Sequence, residues 1–138
     1  MASAAVSRTV LAVAMVALTM GACSLALWTL PQAVVALFPA LPEARAAAVA
    51  MLMIWAPFIL FDGVQVALVY ALRSLGDQVA AGINSIIAYF LVTGGVGWWL
   101  VATGWGAPAL AWASGMGMLV AAILHGARFV VIARRLRA

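Results

Sequence analysis

The sequence predicts an all-α membrane protein of four transmembrane helices, and three observations carry that prediction. Of its 138 residues 69% are hydrophobic and only 7% charged, too little polar surface to coat a water-soluble globule. The mean hydropathy is +1.23. Apolar stretches at roughly 9–30, 46–72, 79–102 and 107–132 each reach the about 20 residues, at about 1.5 Å apiece, that cross a hydrocarbon core. Together they nearly exhaust the chain, which reads as a single transmembrane helical region over residues 1–138. No segment is left for a soluble catalytic domain, and most enzyme classes are excluded.

The first span follows Arg8 and ends at Pro31. Within it, Leu18-Thr19-Met20-Gly21-Ala22-Cys23 has the shape of a lipoprotein signal with Cys23 as the cleavage site. The chain stays apolar from Ser24 to Leu30, where a processed lipoprotein turns polar, so a span is the expected reading. One cysteine permits no internal disulfide. Residues 31–45, with Pro39 and Pro42, break helix but keep Val34, Val35, Leu37 and Phe38 apolar, as suits a segment lying along the outer interface.

The second span, from about residue 46, contains Pro57, which leaves the Met53 carbonyl without its helical donor and predicts a kink. In the link Arg73-Ser74-Leu75-Gly76-Asp77, Gly76 suits the end of one helix and Asp77 the cap of the next. Spans two and three must then be antiparallel neighbours. Residues 103–106 make a second tight hairpin. Gly94, Gly95 and Gly97 lie inside the third span and loosen or pack a helix rather than cradle phosphate. In the fourth, Ala111 with Gly115, and Ala113 with Gly117 and Ala121, give a small-xxx-small pattern that is expected to serve packing within the chain.

The net charge is +4, but the seven basic residues are all arginines near helix ends and form no basic face, so nucleic acid is not an expected partner. The lipid bilayer is. With four crossings, Arg8, Arg73, Arg134, Arg135 and Arg137 share one side, against Arg45 with Glu43 on the other. The positive-inside rule then predicts a multi-pass protein of the plasma (inner) membrane with both termini cytoplasmic. Arg128 lies about five residues inside the last span and is expected to snorkel to that interface. Trp28, Trp98, Trp99 and Trp105 form an aromatic belt at the opposite one.

Asp62 is the residue that demands a reason. It falls near the middle of the second span, where an ionised carboxylate costs about 2.5–3.5 kcal/mol. It suits a proton carrier, or an ionised group beside a bound cation. Gln65 shares its helical face three residues on. Counting outward from the hairpin, Asn84, Ser85 and Tyr89 come level with these two as polar neighbours. His125 and Arg128, one turn apart, are expected near the membrane surface in snorkelling or headgroup roles. One His and one Cys make no metal site. No nucleophile–base arrangement, paired carboxylates or phosphate loop is legible, so no catalytic residue, no cofactor and no enzyme activity are expected.

The segment Phe61-Asp62-Gly63-Val64-Gln65-Val66-Ala67-Leu68-Val69-Tyr70-Ala71-Leu72-Arg73-Ser74-Leu75-Gly76-Asp77 resembles the MATE family of multidrug and toxic compound extrusion antiporters. That family carries D-x-x-Q on its tenth helix and an L-R-G-x-G-D-type cytoplasmic hairpin into its eleventh. Gly104-Trp105-Gly106-Ala107, leading to Trp112, is similar to the approach to the twelfth. The resemblance covers essentially the whole chain, as helices nine to twelve of a MATE-like bundle. It implies an antiporter in which H⁺ or Na⁺ entry drives export of small amphipathic, often cationic compounds by alternating access between two six-helix lobes. In the family's sodium-coupled branch, the acid matching Asp62 contributes to cation binding.

The departures are Ser74 where the family usually has Gly, a third span without the family's common proline, and eight helices not represented. Because repeats enclose the substrate between them, the expected partner is the rest of such a transporter. One alternative is a second copy, in a free-standing four-helix exporter like the small multidrug resistance proteins, although those place their acid on a first helix that here has none. Another is a non-transporting membrane subunit or remnant.

Overall fold

The computed structural model describes residues 2–136, so Arg137 lies outside the described residues. Every regular element among them is helical: α1 (Ala2–Thr29), α2 (Pro31–Ala36), α3 (Pro42–Trp55), a 3₁₀ turn (Ala56–Phe58), α4 (Ile59–Ser74), α5 (Gln78–Ser85), a π-helix (Ile86–Val96), α6 (Gly97–Ala102) and α7 (Pro108–Arg135). These join into four helices long and apolar enough to span a membrane: Ala4–Thr29, Pro42–Ser74, Gln78–Ala102 and Pro108–Arg135. A helix can do so because it satisfies its own backbone in hydrocarbon. The chain is an all-α, multi-pass membrane protein.

Residues 31–45 are more helical than expected. Pro31 opens α2 and Pro42 opens α3, at first-turn positions where a missing N–H is no loss and the ring's fixed φ already suits the helix. The second span therefore begins four residues earlier than its hydropathy suggests, and only residues 37–41 separate the two helices. The kink expected at Pro57 takes the form of the 3₁₀ turn. There the Ile59 N–H bonds to the Ala56 carbonyl, and Ser24 of α1 donates its hydroxyl to the same oxygen at 2.7 Å.

Both hairpins end in a left-handed glycine. Gly76 (φ 81°) and Gly104 (φ 89°) let the next N–H reach back to a carbonyl five residues earlier, Asp77 to Leu72 at 2.9 Å and Trp105 to Leu100 at 3.1 Å, as in a Schellman cap. Asp77 occupies the N-cap position of α5 but makes no side-chain capping bond. Its carboxylate is taken by Arg128 instead, because a two-point bond to a guanidinium outcompetes a single neutral N–H.

α4 and α7 form the centre, with α1 against α4, and the π-helix and α3 against α7. A core of Val6, Leu68, Ala71, Leu72, Ala81, Phe129 and Ala133 closes the end of the bundle that holds both described termini and the α4–α5 hairpin. Close approach depends on missing side chains. A Cβ on Gly115 would enter the Phe58 ring, one on Gly117 would meet the Thr93 hydroxyl and the Ala88 carbonyl, and one on Gly63 would strike Met20. The small residues of the last span are thus used inside the chain. Large apolar side chains such as Leu18, Phe90 and Trp98 face outward, as lipid contact permits.

The candidate ion site in the second span

The 3₁₀ turn sets Asp62 in the first turn of α4, half-buried, where the helix restarts after Pro57. Gln65, one turn further, is buried to 6% exposure and donates its Nε2 to Asp62 Oδ1 at 3.3 Å. That bond spends one of the amide's two N–H donors on the carboxylate and leaves its oxygen able to accept or to ligate. Tyr89, on the π-helix, lies close enough to Asp62 for the two side chains to interact. The three residues assemble a carboxylate, an amide oxygen and a phenol, oxygen donors that can hold a proton or contribute to the shell of a hard cation.

Ser85 does not join them. Its hydroxyl donates to the Ala81 carbonyl at 3.0 Å and sits 3.5 Å from His125 Nε2. Asn84 is half-buried, with no side-chain hydrogen bond to Asp62 among the described residues. Ser85 ends the α-helical turns of α5 and Tyr89 lies in the wider π-helix, so residues counted onto one face by α-helical spacing turn apart.

His125 corrects the expectation of a surface role, being fully buried. Its Nδ1 lies 2.7 Å from the Ala121 carbonyl and its Nε2 3.1 Å from that of Ala81. Ala81 and Ala121 are themselves fully buried, and their small side chains open the slot between α5 and α7 that takes the ring. Arg128 does not simply snorkel. Its Nε donates to Asp77 Oδ2 at 2.6 Å and its Nη2 to Oδ1 at 3.0 Å. That hydrogen bond, first, and the fields of Arg128 and Arg135 hold the Asp77 carboxyl below the usual carboxylate range, against the opposing effect of burial.

No family model matches the chain, and no solved structure does. Among curated proteins it is similar to the probable multidrug resistance protein NorM of Pseudomonas aeruginosa, with 37% identity over 102 residues. The match takes in 70% of this chain and 21% of that protein, so the chain spans about a fifth of the length of the curated relative. What the chain resembles over most of its own length is therefore one part of a larger multidrug resistance protein.

Proposed function

We propose that the chain is the C-terminal four-helix part of a MATE-like antiporter that exports small amphipathic or cationic compounds against entry of H⁺ or Na⁺, with Asp62 as the coupling-ion site and Gln65 as its support. The observation that carries this reading is the Gln65–Asp62 hydrogen bond, at mid-span in a chain similar to a multidrug resistance protein. A carboxylate is kept inside a membrane helix when it binds or relays an ion. Binding there favours whichever arrangement of the lobes completes the ion's shell, which is how an ion gradient biases alternating access.

The arginine distribution supports the inner membrane with both termini cytoplasmic. Arg8, Arg73, Arg134 and Arg135 are exposed at the end where Val6, Leu72 and Ala133 close the core, whereas Trp28, Trp98, Trp99 and Trp105 are exposed toward the other. The test is cation-dependent compound efflux in cells carrying the gene in its native context, with and without Asp62→Asn. Loss of the cation dependence is the expected result. Unchanged efflux would remove Asp62 from the mechanism.

A further inference from the structure

We propose that His125 is a proton-binding site, whose imidazolium ties α7 to α5 by donating to the carbonyls of Ala121 and Ala81 at once. The inference does not depend on the transport reading of Asp62. A neutral imidazole has one N–H and one lone pair, yet both ring nitrogens face backbone carbonyl oxygens, which only accept: Ala121 at 2.7 Å and Ala81 at 3.1 Å. In the neutral ring one of these oxygens opposes a lone pair. The Ser85 hydroxyl, 3.5 Å from Nε2, is the donor within reach, but the Ala81 carbonyl at 3.0 Å is its better-placed acceptor. One added proton turns both ring contacts into hydrogen bonds without moving the backbone.

The charged and titratable groups on the helices packed around the ring carry both signs. On its own helix Arg128 follows one turn later, and it is compensated by Asp77 from the start of α5. Arg134 and Arg135 lie further along and are exposed. α4 contributes Asp62 and the exposed Arg73, and the π-helix contributes Tyr89. Burial resists a charge on the ring, and the converging carbonyl dipoles offset that cost where water is excluded.

The two contacts are unequal in consequence. Nδ1 bonds within α7, four residues back, and nothing between helices changes if that bond stays. Nε2 bonds across to α5. With the shorter Nδ1–H bond retained in the neutral form, loss of the proton falls on Nε2 and releases the third span from the fourth at one level, while the Arg128–Asp77 pair holds one turn away.

The chain has a single histidine, so selective ¹⁵N labelling of histidine in lipid nanodiscs reports this ring alone. The expected spectrum in mild acid shows both nitrogens protonated. On raising the pH from there, Nε2 loses its proton while Nδ1 keeps it, and the two resonances separate widely. Amide exchange at the start of α5 should quicken over the same rise in pH, relative to a His125→Gln chain at each pH. A single neutral tautomer throughout would overturn the proposal, as would a titration that leaves α5 exchange unchanged. The unsubstituted chain supplies the decisive spectrum, so poor folding of the variant cannot mask the outcome.

Discussion

Arg128 and Asp77, 51 residues apart, meet in a two-point hydrogen bond of 2.6 and 3.0 Å that fastens the α4–α5 hairpin to the last helix. Asp77 is the better covered partner, its side chain 17% exposed against 37% for Arg128. The pair lies at the end of the bundle where the described termini also gather, so it staples three of the four spans where their helices change direction.

Asp77→Asn should lower the unfolding temperature in lipid nanodiscs in a pH-dependent way. The folded carboxyl is held below its ordinary value of 3.8. Its stabilising contribution is therefore complete above that pH and is lost as the pH falls through the lower, folded value. The gap between parent and variant should stay constant from neutral pH to about pH 5 and close only in strong acid. A gap that closes near neutrality would show that another group carries the effect.

Gln65→Ala should weaken ion coupling without abolishing it. A hydrogen bond to a charged group contributes about 1.5 kcal/mol at the low end, where a 3.3 Å contact belongs, or about tenfold in ion affinity. Measured as the cation concentration giving half-maximal efflux, the shift should be about tenfold for Gln65→Ala, while Asp62→Asn removes the response. Equal effects of the two would make Gln65 an ion ligand rather than a support.

Two glycine substitutions should move stability in opposite directions. Gly115→Ala drives a methyl group into the Phe58 ring and should cost about 1–3 kcal/mol as overpacking. Gly82→Ala meets open space on α5 and should gain about 0.5–1 kcal/mol by reducing the freedom of the unfolded chain. Denaturation in mixed micelles measures both.

Ser24→Ala should cost about 0.6 kcal/mol, the average for hydrogen bonds between membrane helices. It removes the hydroxyl that reaches the Ala56 carbonyl at 2.7 Å and loosens α1 beside Pro57. If Pro57→Ala is made first, the helix regains a backbone donor, and the cost of Ser24→Ala should shrink. Undiminished cost in the double variant would separate Ser24 from the bend.

The sequence by itself determined the four spans, the antiparallel pairing through Gly76, the break at Pro57 and the placing of Asp62 one turn from Gln65, because each depends on local properties. Hydropathy over about 20 residues, a left-handed glycine, a missing N–H and an i,i+3 spacing are all written within one segment. The tertiary structure alone decided the burial of His125, the diversion of Asp77 from cap to ion pair, the π-helix after Ser85 and the parting of Ser85 from Asp62. The physical reason is that lipid is as apolar as a helix interface, so a span hydrophobic all round carries no periodic mark of the face that turns inward. Only neighbouring helices supply it. The glycines and alanines of α7 let α5 and the π-helix come close enough for the His125 ring, already against the Ala121 carbonyl of its own helix, to reach that of Ala81 as well.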